Sequence, residues 1–582
     1  MGAGGVEVVD VLQAAALVAA ALCAAAVLLV TDARRCSLAM LASLVLGALA
    51  LAPQVAEAVG GQLTRQPQLT LAAAAGGLVL LAALTALLRR QPAALAPLAV
   101  GTLAFRLPVP VADGTADLLV PLYCVIGAAA LAFALRAARS GPGARVRADW
   151  TTQHDPARRR LQIVLAGVLV LYAAQALYST DVERAIRNVA FFYVPFAVLF
   201  RLLLDLRWTW RLLLGTFGVA VGLALAFAAV GFVEYATGRL LIYNEKVLAA
   251  NELKSYFRVN SLFFDPNIYG RFLALVMTAL AGVLLWSRRR WHAPLIAVTL
   301  AVLWAGLVLS LSQSSFAALL AGLALLAALR WSVLRVLAAA AVAAAAGAAV
   351  LLLAPGLLGL ERPSSASLDR ATSGRVELVR GATAMFADRP VAGFGSGAFS
   401  ERYRARENVR SPRAAAASHT IPLTIAAEQG VIGLAAYLAL LAVAFAALLG
   451  RLREALRRPR PDGRAVARVV IAAAFAALVT HTLVYAAFLE DPVAWALLGI
   501  AAALRAAPGA GGADPEPAAG AATADGQGRE VPNRNERNAF LAKAIASRSP
   551  ASIGAPVFCW SMLMTTPLRA PGRSGTTNRS WP

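Results

Sequence analysis

The chain has 582 residues, of which 59% are hydrophobic and 15% are charged, and its mean hydropathy is +0.68. Soluble globular domains carry about 25% charged residues, so this composition excludes a soluble enzyme or binding domain. The formal net charge of +23 does not indicate nucleic-acid binding, because most Arg residues lie in short clusters between apolar runs. This arrangement is typical of a polytopic membrane protein.

Fifteen apolar runs follow one another along the chain. A helix needs about 20 predominantly apolar residues to cross the hydrocarbon core of a bilayer. The run at 92–105 is short enough to be re-entrant, so the sequence predicts about 14 or 15 spans in an all-α transmembrane helix bundle. The runs lie near 11–30, 37–56, 69–88, 92–105, 118–135, 161–178, 189–205, 212–234, 268–286, 293–310, 314–330, 333–354, 421–449, 469–488 and 492–505.

The arginines predict how this bundle is oriented. Clusters in alternate loops hold 26 of the 54 Arg and Lys residues, and short loops rich in these residues stay in the cytoplasm. We therefore expect the N-terminus outside and the C-terminus in the cytoplasm. The clusters lie at 34–35, 89–90, 136–160, 201–211, 288–290, 330–335 and 451–468.

Two loops on the predicted outer side are long, at about 236–267 and 355–420. The second loop contains ten Arg residues, although the topology requires no cations there. Long loops translocate largely regardless of charge, so this excess indicates an anionic partner on the outer face. We expect the functional residues in this loop, together with short helices.

His419 is the histidine best placed for proton transfer. It lies where the Arg-rich loop re-enters the membrane, and a surface His titrates near neutral pH and accepts a proton from a hydroxyl. A His that satisfies helix-end backbone groups is the alternative. His481 lies inside an apolar run, as a helix–helix hydrogen bond or a functional group, whereas His154 and His292 lie in basic loops and indicate no role.

A glycine run, Gly393, Gly395 and Gly397, follows Arg389 in the second long loop. Its backbone N–H groups are candidates for contact with phosphate oxygens. The sequence around it has no strand–helix context for a nucleotide site, and a tight turn between two short helices is the alternative interpretation.

Metal and disulfide sites are not indicated. The cysteines show no CxxC spacing, and no Asp-x-Asp pair occurs on the predicted outer side. We therefore expect no disulfide framework, no metal and no cofactor. The four cysteines are Cys23, Cys36, Cys124 and Cys559.

Four motifs occur in order on the predicted outer side, and together they resemble the O-antigen ligase and polysaccharide polymerase family. The resemblance covers about residues 160–500. One motif departs from the family, because many members have Ser-Arg-Gly where this chain has Ser312-Gln313-Ser314, which is consistent with a different acceptor. The motifs are Arg258 with FFDPNIYG, LSLSQSS at 309–315, SGR with DRPVAGFGSGAF, and SHTIPLTIAAEQGVIGL at 418–434.

The resemblance implies a glycosyltransferase of the bacterial inner membrane. Members move a glycan from undecaprenyl diphosphate to a saccharide or lipid-glycan acceptor, without a nucleotide sugar or a metal, and ligases use an outer-loop His and Arg residues. His419 matches that His and Arg258 the first Arg. Arg375 matches the second Arg, with Arg389 as the alternative, and Arg389 and the glycine run are expected to bind the diphosphate.

The chemistry of the bond agrees with this resemblance. Cleavage of a glycosyl–diphosphate bond leaves negative charge on the phosphate, which enzymes stabilise with Mg²⁺ or with fixed Arg residues. The guanidinium fork matches phosphate oxygens and stays charged when it is partly buried. A base that deprotonates the acceptor hydroxyl completes such a site, and attack opposite the leaving group inverts the anomeric centre.

The resemblance also divides the chain into three parts. Residues 1–160 are N-terminal transmembrane helices, and residues 161–506 form the O-antigen ligase-like catalytic region. Residues 507–582 are predicted to be a disordered cytoplasmic tail, because they begin with a small, polar, Pro- and Gly-rich stretch that buries too little surface to fold.

Three other functions stay open at this point. A repeat-unit polymerase uses the same donor and differs from a ligase only in its acceptor. A metal-dependent polyprenyl-phosphate glycosyltransferase requires acidic residues in the first outer loop, whereas Glu7 and Asp10 precede the first helix. A transporter or lipid flippase requires charged residues along its spans and similar halves, and the spans here are almost free of charge.

Overall fold

The computed structural model describes most of the first 505 residues, and all of these lie in one compact unit, Met1–Gly511. The predicted tail at 507–582 lies outside the described residues, and the three-part division stays a prediction. The described ranges are 3–111, 114–139, 155–242, 247–248, 251, 257–286, 292–353, 375–407, 420–457, 462–485 and 487–505.

Helices make up nearly all of the described regular structure, and every apolar run predicted from the sequence overlaps one of them. In chain order they are α1 (Ala3–Leu29), α2 (Ala33–Ala50), α3 (Ala52–Arg65), α4 (Pro67–Arg90), α5 (Leu95–Thr102), α6 (Val120–Arg139), α7 (Pro156–Ala176), α8 (Val182–Asn188), α9 (Val194–Leu204), α10 (Trp210–Thr237), α11 (Pro266–Trp286), α12 (His292–Ser310), α13 (Gln313–Arg330), α14 (Val333–Leu353), α15 (Arg375–Asp388), α16 (Phe399–Glu407), α17 (Ile421–Leu449), α18 (Leu452–Leu456), α19 (Gly463–Leu483) and α20 (Pro492–Leu504).

The all-α membrane bundle predicted from composition is confirmed. Twelve helical stretches of the described chain, counting Val182–Leu204 through α8 and α9 as one, are long and apolar enough to cross a membrane, and three more are apolar but shorter. One small element was not predicted: β1 (Leu107–Val111) pairs antiparallel with β2 (Gly114–Leu118). Prolines at every second position of β1 hide this hairpin in the sequence, because Pro argues against an ordinary central strand.

Small residues allow the central helices to pack closely. A Cβ atom on Gly322 of α13 would lie 2.7 Å from the Thr278 side chain of α11, and one on Gly282 would lie 2.8 Å from Val470 of α19. Such contacts favour association in lipid, where the helices gain little from the hydrophobic effect and depend on close van der Waals packing. Helices α11, α13 and α19 therefore form a tight central group.

Arginines from the predicted cytoplasmic clusters cap helices at one end of the bundle, which we call the arginine end. Arg201 Nη1 donates to the carbonyls of Val27 and Val30 at 3.0 and 2.7 Å. Arg468 Nη2 likewise donates to the carbonyl of Gly450 at 2.8 Å. The last carbonyls of a helix have no partner inside that helix, so these side chains stabilise the ends of α1 and α17.

The opposite end, which we call the loop end, gathers the segments between the spans that carry the four motifs. Helix α17 enters it with a kink at Gly430, whose φ of 64° and ψ of −162° are not helical. The two short helices expected in the second long loop are present as α15 and α16. The candidate site lies at this end.

Candidate functional site

Arg258 is held against the end of α12. Its Nε donates to the Ser310 carbonyl at 3.1 Å, and the next residue, Val259, donates its N–H to the Leu309 carbonyl at 3.3 Å. The Asn251 side chain pairs with both the N–H and the carbonyl of Arg258, at 2.9 and 3.1 Å. The half-buried guanidinium therefore has a position fixed by two separate segments.

A buried glutamate anchors the segment that follows Arg258. Glu234 of α10 has no exposed surface, and its carboxylate accepts the N–H groups of Leu241 at 2.9 Å, Asn260 at 3.1 Å and Ser261 at 2.7 Å. Ser261 has a φ of 51°, a left-handed conformation that is costly for a non-glycine residue. The three hydrogen bonds to Glu234 compensate for this strain, so Glu234 positions the Arg258 segment.

The LSLSQSS motif forms the turn between α12 and α13. Ser312 caps α13, and its hydroxyl lies 2.9 Å from Asn267 Oδ1 and 2.8 Å from Ser315 Oγ. Ser314 Oγ lies 3.1 Å from Nε2 of the fully buried His481. His481 thus joins α13 to α19, as in the helix–helix interpretation of this residue, and the first two motifs form one hydrogen-bonded unit.

The loop between α19 and α20, residues 484–491, connects this unit to the rest of the loop end. Tyr485 donates its hydroxyl to Asp265 Oδ2 at 2.6 Å, and burial together with this carboxylate raises the pKa of Tyr485. Asp491 forms an ion pair with Arg271 at 2.7 Å, and both side chains are buried. A buried ion pair resists separation, because removal of one partner leaves an uncompensated charge.

The glycine run docks on the kink of α17. Gly393 and Gly395 have φ values of +68° and +98°, and the Gly395 N–H donates to the Glu428 carbonyl at 2.8 Å. A Cβ atom on Gly393 would lie 2.2 Å from that carbonyl oxygen, and one on Gly430 would lie 2.2 Å from the Val391 oxygen. Only glycine permits this approach, because it lacks a Cβ and tolerates a positive φ.

The N–H groups of the glycine run are engaged within the protein. Gly393 donates to the Arg389 carbonyl at 3.1 Å. The Glu428 carboxylate accepts the N–H groups of Gly397 at 2.9 Å and Phe399 at 3.1 Å. The anion at the run is therefore a buried side chain of the protein itself, and contact between these N–H groups and a diphosphate stays a prediction.

The same run packs on the end of α7. Ser179 donates its hydroxyl to the Ser396 carbonyl at 2.8 Å, and Ser396 donates its own to the Tyr172 carbonyl at 2.9 Å. The Tyr178 hydroxyl donates to the Ala392 carbonyl at 2.8 Å. The run is thus a tight turn between α15 and α16, as in the alternative interpretation, and it is fixed from two sides.

The remaining predicted residues are described to different degrees. Arg389 is exposed, and its guanidinium lies 4.8 Å from the centre of the Phe394 ring, which Arg402 also approaches at 5.1 Å. Arg375 is the first residue of α15, and its side chain is outside the described part of the structure. His419 lies outside the described residues, which resume one position later at the N-cap of α17.

Sequence reasoning missed the two anchoring glutamates. Glu234 and Glu428 are each an isolated carboxylate in an apolar run, and an ionisable residue at such a place is costly and conspicuous. That signal could have marked both of them. Among the described residues, no three His, Cys, Asp or Glu side chains converge as a metal site.

Comparison with known families gives one match. Residues 298–438 match the family model described as O-antigen ligase, a stretch that contains the second, third and fourth motifs. Arg258 and FFDPNIYG precede the matched stretch. No curated protein matches the chain. The match confirms the resemblance drawn from the motifs: this multi-pass membrane protein carries an O-antigen ligase domain, whose family acts on a lipid-linked glycan donor and an acceptor.

Proposed function

We propose that the protein transfers a glycan from undecaprenyl diphosphate to a saccharide or lipid-glycan acceptor at the outer face of the cytoplasmic membrane. The loop end then faces outward, the N-terminus lies outside and the C-terminus lies in the cytoplasm. The observation that carries the proposal is that the four motifs lie at the loop end and meet there in two pairs. Arg258 is bonded to the serine turn of the second motif, and the glycine run is bonded to the helix of the fourth.

The proposed mechanism assigns separate roles to the basic residues. Arg258 and Arg375, with Arg389 as the alternative to Arg375, stabilise the charge that develops on the leaving diphosphate. His419 accepts the proton of the acceptor hydroxyl as that oxygen attacks the anomeric carbon. The attack takes place opposite the leaving group, so the anomeric configuration inverts, and no metal takes part.

The 484–491 loop supports this assignment because it joins the two halves of the proposed site. Tyr485 is bonded to Asp265 beside the first motif, whereas Glu490 accepts a hydrogen bond from Asn188 of α8 at 3.2 Å. Helix α8 in turn lies beside the glycine run, since a Cβ atom on Gly397 would lie 3.2 Å from the Ala185 nitrogen. A substrate bound between the halves would be in reach of both loops.

The direct test is the envelope glycan of a deletion strain that carries variants of the gene. A ligase predicts that polymer accumulates unattached in the deletion strain, and that Arg258→Ala fails to restore attachment although the protein is present at normal level. Single repeat units on the acceptor would assign the polymerase reaction instead. Normal glycan in the deletion strain would contradict both.

A further inference from the structure

A cavity of about 220 Å³ lies next to the glycine run and has no role in the mechanism above. Helices α7, α8 and α17 and residues 487–490 surround it. Its polar wall includes Arg184, Asn188, Glu428 and Glu490, and aliphatic side chains, three tyrosines and Phe488 form much of the rest. Ligand sites typically combine an apolar lining with a few converging polar groups.

The lining of this cavity carries charges of both signs. Glu428 and Glu490 carry the acidic groups, and the positive charge of Arg184 acts on both of them. Burial raises the pKa of Glu490, whereas the charges of Arg184 and the nearby Arg106 lower it. The two carboxyl groups of the lining disfavour a phosphate here, and Arg184, together with Arg106 outside the lining, disfavours a cation. An uncharged polar ligand therefore fits best.

One buried hydroxyl on the cavity wall lacks a partner. Tyr437 is 4% exposed, and its hydroxyl approaches Thr482 but makes no hydrogen bond of normal geometry with any described residue. A buried polar group without a partner costs about 1–3 kcal/mol. The hydroxyl itself is closed off from the cavity, so a ligand would reach it only after the Tyr437 side chain rotates.

We propose that this cavity binds one sugar ring of a glycan substrate, with Glu490 and Asn188 as its hydrogen-bonding residues; this inference rests on the proposed function. Sugar hydroxyls donate to carboxylate and amide oxygens and accept from guanidinium groups, and the non-polar ring face packs on the partly exposed Ile425 and Leu489 of the lining. Ile421 and Thr424, which also line the cavity, follow His419 closely in the chain. A ring bound here therefore lies beside the first turn of α17.

The test uses the full chain in proteoliposomes. The donor is undecaprenyl diphosphate-linked glycan isolated from the same cells, and the acceptor is the glycolipid extracted from the deletion strain. Initial rates are measured as each substrate is varied in turn. Glu490→Gln removes a charged acceptor, and Ala436→Leu fills the lower part of the cavity, where Ala436 lies on the wall.

We expect Glu490→Gln to raise the half-saturating concentration of one substrate about tenfold, the effect of losing one hydrogen bond to a charged group. Ala436→Leu should raise the same concentration at least as much, because the larger side chain occupies the space of the ring. The maximal rate should stay nearly unchanged in both variants. A shift for the acceptor assigns the ring to the acceptor, and a shift for the donor assigns it to the donor glycan. Two matched controls keep wild-type values: Ala435→Leu on the exposed face of α17 and Glu401→Gln on α16.

Failure of this inference is distinct from failure of the proposed function. If the wild-type protein transfers glycan but Glu490→Gln and Ala436→Leu keep wild-type half-saturating concentrations for both substrates, the sugar site is wrong and the transferase stands. If the wild-type protein transfers no glycan, the proposed function itself is wrong.

Hydrogen exchange at residues 487–491 adds a readout besides activity, because the bound glycolipid or donor should slow it in the wild type and not in Ala436→Leu.

Discussion

The two long loops at the loop end are both anchored by hydrogen bonds to a buried carboxylate, but the carboxylates differ in position and in the number of N–H groups that they accept. Each is held by one buried carboxylate on a transmembrane helix, Glu234 for the first loop and Glu428 for the second. Glu234 precedes its loop and accepts three backbone N–H groups. Glu428 follows its loop, accepts two, and also faces a cavity. Irregular backbone at membrane depth is tolerated where protein groups form hydrogen bonds with it. The two carboxylates form such hydrogen bonds.

The loops differ in how closely their backbones approach other segments. In the first loop, Gly238 has a φ of +65° with nothing within 4 Å of an added Cβ, so only conformation restricts it. Gly430, where the second loop docks, has nearly the same φ of +64°, but a Cβ there would lie 2.2 Å from the Val391 oxygen. Close approach of backbone to a glycine is therefore required where the second loop docks at Gly430, and not at Gly238 of the first loop.

The largest expected difference between the two loops is between substitutions of their glycines, Gly430 and Gly238. Gly430→Ala should abolish docking of the second loop and lower transfer activity at least a hundredfold, because the added Cβ collides with backbone that cannot move aside. Gly238→Ala should cost only the conformational penalty of about 1–2 kcal/mol and leave activity near wild type. Thermal unfolding and transfer assays on both variants check this, and equal losses would show that backbone approach does not distinguish the loops.

The second arginine gives the next largest effect. Arg375→Lys keeps the charge but loses the planar fork, and we expect transfer to fall about tenfold to a hundredfold, because bidentate contact with phosphate is lost. Arg389 is exposed against Phe394, so Arg389→Lys should change the rate less. Parallel transfer assays compare the two, and the opposite ranking would assign the second essential role to Arg389.

Replacement of the first carboxylate, Glu234, tests whether it positions the first loop. Glu234→Gln replaces one accepting oxygen with a donor that faces the Leu241 N–H, so the Arg258 segment should shift and the maximal transfer rate should fall about tenfold. Glu183→Gln is the matched control, since Glu183 is half-exposed and pairs with Arg187 within α8. Unchanged transfer by Glu234→Gln would mean that Glu234 stabilises the fold without positioning Arg258.

The sequence predicted the local features of the molecule better than its long-range contacts. The order of the spans follows from hydropathy, and the glycine run indicated a turn, because these signals are local. The partners of the run could not be predicted, since Glu428 is 31 residues from Gly397 along the chain. The same holds for Arg201, which caps α1 across 171 to 174 residues. In the sequence, the signal for such a long-range hydrogen bond is an isolated polar residue within an apolar run.

The smallest expected effect concerns the first two motifs. Ser314→Ala removes the hydrogen bond to His481, and we expect a loss of about 1 kcal/mol in stability, typical of interhelical hydrogen bonds in membranes. Transfer activity should stay close to wild type, because this bond joins α13 to α19 and touches no substrate in the proposed mechanism. A large loss of activity with normal thermal stability would assign His481 a catalytic part.

The most direct test of the central claim is the rate of glycan transfer in proteoliposomes for His419→Ala beside His292→Ala. His292 begins α12 at the arginine end, so its replacement serves as the matched control. The proposed role of His419 predicts at least a hundredfold lower rate for His419→Ala at equal protein, the usual scale for loss of a general base, and an unchanged rate for His292→Ala. A wild-type rate in His419→Ala would contradict it.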